Sequence, residues 1–87
     1  MPYISVNDRM WYEPQLKKLC NFLIRGQPGH LNYLITSLVR SYLGDHPRYA
    51  DYNEVLGALE AAKLELYRRM VAPYENAKIA ENGDVYK

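Results

Sequence analysis

The residues with the clearest chemical potential are two arginines placed between tyrosines. Tyr67, Arg68 and Arg69 are consecutive, and Tyr74 lies five residues further on. A guanidinium group forms forked hydrogen bonds with phosphate or carboxylate oxygens, and a tyrosine ring offers a flat face on which a nucleobase can stack. This order of residue types predicts a binding site for a nucleotide-like ligand. The alternative is that the arginines complement a helix C-terminus and pair with a nearby glutamate.

Two more candidate ligand-binding residues come from the first turn of an earlier predicted helix. Asn32 and Tyr33 fall off the apolar stripe of that helix, so they are available to contact a ligand or another chain. We expect them to approach the same ligand from a neighbouring helix. The alternative is a polar helix flank that binds nothing.

Catalytic groups are sparse in this sequence. His30 and His46 have no Ser or Cys nucleophile at a recognisable spacing, and Cys20 falls on an apolar stripe where a buried, unreactive thiol is expected. Glu60 and Glu65 are five residues apart and so do not share a helix face. There is no CxxC or HExxH arrangement for zinc. The sequence therefore predicts a protein that is not an enzyme and uses no metal or cofactor.

Size and charge exclude several other classes. The chain has 87 residues, 11 Lys and Arg, 10 Asp and Glu and a net charge of +1, without the basic stripe that duplex DNA binding needs. No apolar stretch approaches the length of a membrane span, and a single cysteine is typical of a reducing cytoplasm. A single domain over residues 1–87 buries only about three-fifths of its unfolded surface, so we expect a homo-oligomer.

The apolar pattern predicts helices throughout and no strand. The expected helices cover residues 5–12, 14–25, 29–43, 51–71 and 74–80. Their caps are predicted at Ser5 and Asp51 and their stops at Gly26 and Gly44. At Pro14 either a new helix or a kinked continuation is expected, and Pro73 is expected to end or bend the third helix. The strongest apolar stripe consists of Leu31, Leu34, Ile35, Leu38, Val39 and Tyr42. The predicted fold is an all-α, small three-helix domain, a helical hairpin followed by a long third helix, with short terminal extensions.

Several blocks of the sequence together resemble a family of short proteins from tailed bacteriophages and prophages. The blocks are MPYI at residues 1–4, GHLNYLIT at 29–36, NEVLGALE at 53–60, YRR at 67–69, APYE at 72–75 and ENGDVY at 81–86. The resemblance covers nearly the whole chain. It implies a phage origin and a place in the cytoplasm of the infected host.

Small helical phage proteins often act against host defence, and this chain is similar in size, helicity and Arg and Tyr content to the oligomeric sponges that block CBASS or Thoeris signalling. The similarity implies a non-enzymatic anti-defence protein that sequesters a cyclic oligonucleotide or a cyclic ADP-ribose messenger. The alternative is a protein-binding module that inhibits a host defence enzyme or scaffolds a phage complex. A binder of single-stranded nucleic acid would use the same stacking chemistry, but the near-neutral charge disfavours it.

Overall fold

The computed structural model describes residues 1–86 and is helical over most of them. Its elements are α1 (Val6–Phe22), α2 (Pro28–Leu43), α3 (Tyr49–Leu66), a π-helical turn (Tyr67–Val71) and α4 (Ala72–Asn82). Because α3, the π-turn and α4 follow one another without a break, there are three successive helical segments. No strand occurs within residues 1–86, which confirms the all-α prediction. The last residue of the predicted domain, Lys87, lies outside the described residues.

The chain divides into two compact units. The first unit is Tyr3–Val55, and it holds α1, α2 and the first turns of α3. We call it the hairpin unit after the short connection between α1 and α2, but the predicted packing of these two helices against each other is not present in the described residues. The C-terminal unit is Met1–Pro2 together with the chain from Leu56 onward, which holds the rest of α3, the π-turn and α4. The two units are described separately below.

Helix α1 is longer than the sequence predicts. Its N-terminus agrees with the prediction, because the Ser5 Oγ atom accepts a hydrogen bond of 3.1 Å from the Asp8 N–H. Of the two alternatives at Pro14, a separate helix is wrong and a continuation is present, since Pro14 lies inside the helix. A proline removes its own N–H from the helical hydrogen bonds and crowds the carbonyl four residues earlier, but the hydrogen bonds on either side can continue the helix. The helix ends at Phe22 and not at residue 25, because Leu23 adopts an extended conformation with ψ of 124°.

Helix α2 has bounds close to the predicted ones. It begins at Pro28, a residue whose fixed φ suits the first position of a helix. It ends at Gly44, where φ is +70° and the N–H donates a 3.1 Å hydrogen bond to the Arg40 carbonyl. The predicted stop at Gly44 is therefore confirmed, because a glycine takes up this left-handed φ without steric cost.

Helix α3 begins before the predicted cap. The Arg48 carbonyl accepts hydrogen bonds from the N–H groups of Asp51 (3.0 Å) and Tyr52 (3.3 Å). In return, the Asp51 Oδ2 atom accepts a 2.8 Å hydrogen bond from the Arg48 N–H. Asp51 is thus the third helical residue, reaching back to the cap, and the prediction of Asp51 as the cap itself is wrong. The hydrogen bond from the Arg48 backbone, together with the charge of the Arg48 guanidinium, lowers the pKa of Asp51.

The helix passes through Pro73 by means of the π-turn. The Ala72 N–H donates to the Tyr67 carbonyl, five residues earlier, and α4 then continues to Asn82. In a regular α-helix the Pro73 ring would clash with the carbonyl of Arg69, and the wider π-turn relieves this contact. The prediction that the helix stops at residue 71 and a new one covers 74–80 is therefore wrong. The end of α4 is closed by Gly83, which has φ of +92°.

The predicted core stripes are mostly exposed within the chain. Among the described residues Val55 alone is buried, at 9% exposure. On the α2 stripe Leu34 and Val39 are half-buried, but Leu38 is 64% exposed. Cys20 on α1 is also exposed, so the prediction of a buried thiol is wrong. The apolar stripes are present on the helices, but most of their side chains are exposed within residues 1–86.

Candidate interaction surfaces

Arg68 forms an ion pair within its own helical segment. Its Nη2 atom lies 2.6 Å from the Glu65 Oε1 atom, and its Nε atom lies 3.2 Å from the same oxygen. The Glu65 side chain is only 21% exposed, whereas that of Arg68 remains 65% exposed. The structure therefore has the glutamate pairing that the sequence left open as the alternative to ligand binding.

Arg69 and Tyr74 lie near Arg68 in the sequence and are also exposed. Arg69 belongs to the π-turn, and Tyr74 lies in the first turn of α4. The Lys78 ammonium lies 5.7 Å from the centroid of the Tyr74 ring, which is within cation–π distance. The Lys78 cation therefore lies over one face of the Tyr74 ring.

Tyr67 lines a groove on the C-terminal unit. This groove has a volume of about 500 Å³, and its lining includes Glu75, Lys78, Asp84 and Tyr86. The lining mixes both signs of charge with aromatic and aliphatic groups. Of the four predicted ligand-binding residues in the C-terminal unit, Tyr67 alone lines this groove, so the described structure does not gather Tyr67, Arg68, Arg69 and Tyr74 into one pocket.

Asn32 and Tyr33 lie in the hairpin unit, on α2. The Asn32 Oδ1 atom accepts a 3.1 Å hydrogen bond from the Thr36 hydroxyl, one turn further along the same helix. Tyr33 is exposed and lines a groove between α1 and α2. Asn32 therefore has a local structural contact, whereas Tyr33 belongs to an apolar surface.

That surface consists of two adjoining grooves at the connection between α1 and α2, which we call the hairpin surface. The first groove, of about 420 Å³, is lined mainly by Leu19, Phe22, Leu23, His30, Tyr33 and Leu34. The second groove, of about 410 Å³, is lined mainly by Cys20, Leu23, Ile24, Arg25, Pro28 and Leu31. Sequence reasoning assigned most of these aliphatic residues to a core. The signal that it missed is Phe22, which ends α1 and is 75% exposed.

Comparison with known proteins places the chain in a family. Residues 1–85 match the family described as Domain of unknown function (DUF6899). The chain belongs to this family. Searches of the curated proteins and of the solved structures return no match.

The DUF6899 chain also carries a polar contact between the end of α2 and the start of α3, within the hairpin unit. The Tyr42 hydroxyl donates a 2.7 Å hydrogen bond to the Glu54 Oε2 atom. This bond, together with the negative charge of Glu54, raises the pKa of Tyr42. The prediction that Tyr42 belongs to the core is wrong, because its ring is exposed and its hydroxyl makes this contact.

The described part of this family member contains neither a metal-binding cluster nor a membrane-spanning helix. Within residues 1–86, no cluster of three or more His, Cys, Asp or Glu side chains could hold a metal ion. None of the helices in that same range is long and apolar enough to cross a membrane.

Proposed function

We propose that this protein acts by binding and not by catalysis, and that its working form is a homo-oligomer. One observation supports the proposal: the apolar stripes of the helices are exposed within the chain. On α1, α2 and α3 respectively, Leu16, Leu38 and Leu56 are all exposed. Apolar side chains repeated on one helix face normally pack against another element, because each buried methylene group is worth about 0.8 kcal/mol. The net charge of +1 adds little electrostatic repulsion between copies.

Sedimentation velocity and multi-angle light scattering test this proposal directly. We expect a mass that is a multiple of 10.2 kDa at micromolar concentration. The proposal fails if the chain is a 10.2 kDa monomer that unfolds cooperatively at every concentration. Such a result would mean that one chain covers its own apolar faces.

The resemblance to short proteins of tailed phages supports a more specific role. In that role the assembly acts in the cytoplasm of an infected host, where its exposed tyrosines and apolar faces contact a host defence enzyme or scaffold a phage complex. Tyrosine suits such contacts because it combines a large ring with a hydroxyl at low entropic cost.

A second candidate function is sequestration of a nucleotide-derived immune messenger. The observation that favours it is the π-turn, since Tyr67, Arg68 and Arg69 all belong to this turn and such turns often occur at functional sites. Tyr67 also lines the groove of about 500 Å³ on the C-terminal unit. In this function Arg69 would bind phosphate and Tyr67 would stack on a base. Tyr74, and Asn32 and Tyr33 of a second copy, would complete the site.

A thermal-shift panel tests this second candidate. The probes are cyclic dinucleotides, cyclic trinucleotides and cyclic ADP-ribose isomers. A ligand at 100 times its Kd adds about 2.7 kcal/mol of stability. We expect Arg69→Gln to abolish the shift, and Arg40→Gln, which removes an arginine of the hairpin unit, to leave it unchanged. Intact ligand recovered after heating supports sequestration, whereas a cleaved product would indicate an enzyme. No shift across the panel rules the candidate out.

A further inference from the structure

We propose that Asn82 is a site of spontaneous deamidation, at which aspartate or isoaspartate replaces the asparagine without the action of an enzyme. Asn82 is the last residue of α4, and Gly83 follows it directly. The inference concerns the covalent state of the chain, so it does not depend on the proposed assembly or on either candidate function.

The reaction uses only atoms of these two residues and water. The backbone nitrogen of Gly83 loses its proton and attacks the Cγ atom of the Asn82 side chain. A new C–N bond forms, the C–N bond of the side-chain amide breaks, and the amide nitrogen takes up a proton and leaves as ammonia. The product is a cyclic succinimide. Water then opens the ring at either of its two carbonyl groups, which gives aspartate or isoaspartate.

The residue after an asparagine decides how easily this ring forms. Asn82 is the only asparagine of the chain that a glycine follows; a residue with a Cβ atom follows each of the others, which are Asn7, Asn21, Asn32, Asn53 and Asn76. A Cβ atom crowds the attacking nitrogen and restricts the backbone, and glycine has neither limit. A Cβ atom built on Gly83, which has φ of +92°, would meet nothing within 4 Å. The described structure therefore leaves this side of the Gly83 backbone open.

The position of Asn82 at the end of α4 also favours the reaction. Inside a helix the attacking N–H is held in a hydrogen bond to the carbonyl four residues earlier. The Gly83 N–H donates such a bond, of 2.8 Å, to the Ile79 carbonyl. This bond closes the helix, and helix ends open with a free energy near zero, whereas the interior does not. Because Asn82 and Gly83 are both exposed, water has access to the opened turn.

Deamidation places a negative charge where the helix disfavours it. The C-terminus of a helix carries partial negative charge, and Glu81 and Asp84 are already close in the sequence. Asn82 also lines the groove of about 500 Å³ on the C-terminal unit, together with Glu75. The net charge of the chain falls from +1 to 0, and its isoelectric point falls below 7.8. Deamidation therefore loosens the end of α4 and makes this groove more negative.

Ageing of the purified full chain at neutral and mildly alkaline pH tests the inference, with Asn76 as an internal control. Asn76 lies on the same helix and lines the same groove, but Ala77 follows it. Trypsin cleaves after lysine and arginine, so the two asparagines fall on separate peptides, residues 70–78 and 79–87. Mass spectrometry then follows both sites in one sample. We expect residue 82 to deamidate at least about fivefold faster than residue 76, because glycine has more backbone freedom than alanine and lies at a helix end.

Two variants separate the site from its surroundings. Asn82→Gln should keep its isoelectric point on ageing, because the longer side chain closes a larger and less favourable ring. Ala77→Gly places a glycine after Asn76 within α4, and far-UV circular dichroism checks that helical content is retained. In this variant Asn76 should still react more slowly than Asn82, and equal rates would overturn the part assigned to the helix end. If the two asparagines of the parent chain react equally slowly, or if aged Asn82→Gln shows the same acidic shift, the inference is overturned.

Discussion

If apolar faces are covered by other copies of the chain, thermal stability must depend on protein concentration. Unfolding of a dimer releases two chains, so a tenfold dilution destabilises the dimer by about 1.4 kcal/mol. The entropy of unfolding is about 2.1 cal/mol/K per residue, which for 87 residues gives roughly 180 cal/mol/K per chain and 370 cal/mol/K per dimer. The expected fall in Tm is therefore about 4 °C for each tenfold dilution.

The assay is a dilution series followed by circular dichroism at 222 nm. Across a hundredfold range of concentration the Tm should fall by about 7 °C. A Tm that is constant to within about 1 °C over the whole range would refute the reasoning, because only an intramolecular transition is independent of concentration.

Four smaller perturbations test local contacts. Ser5→Ala removes the cap of α1 and should lower the Tm by about 5 °C, since such a cap contributes about 1 kcal/mol to the stability of each chain. The pKa of Asp51 in the folded protein is lowered from 3.8. The ionised Asp51 carboxylate therefore stabilises the fold above pH 3.8, and this stabilisation is lost as the pH falls through the lowered pKa of the folded protein. Asp51→Asn should flatten this acid dependence of the Tm. The pKa of Tyr42 in the folded protein is raised from 10.0. The protonated Tyr42 hydroxyl therefore stabilises the fold below pH 10.0, and this stabilisation is lost as the pH rises through the raised pKa of the folded protein. A Tyr42→Phe variant that still shows this alkaline loss would contradict the hydrogen bond to Glu54. Pro73→Ala should raise the Tm, because it restores a backbone N–H donor to the helix. The free energy of unfolding should rise by at most about 3 kcal/mol.

The helix ends that were predictable depend on local chemistry. Ser5 caps α1 and Gly44 ends α2, and both roles follow from the residue itself and its immediate neighbours. The errors at Pro14 and Pro73 have a different origin. The local rule states that proline disfavours the helix, but whether a helix continues depends on the hydrogen bonds on both sides, which cooperate over many residues. At Pro73 the chain also uses a π-turn, which no residue pattern in the sequence indicated.

The apolar stripes show a different limit of sequence reasoning. Periodicity identified Leu31 and Leu38 as members of one face, and the helix that carries them is present as predicted. An apolar stripe predicts that one face of a helix is buried, but it does not indicate whether the residues that bury it belong to the same chain. The 48% hydrophobic content is ordinary for a domain that forms its own core, so composition did not distinguish the two cases either. Only the exposed fraction of each side chain in the structure shows whether an apolar stripe is covered within the chain.

The predicted ligand site shows why residue types alone do not define a site. Arg68 was selected because a guanidinium binds phosphate, but the same fork binds the carboxylate three residues earlier, and the structure has the bond to Glu65 at 2.6 Å. The Arg68 side chain is exposed, but that of Glu65 is only 21% exposed, so a phosphate that displaced Glu65 would separate a partly buried carboxylate from this cation. The pairing therefore changes the expected roles, because a ligand at Arg68 must compete with Glu65. Arg69 is thus the better residue with which to test messenger binding.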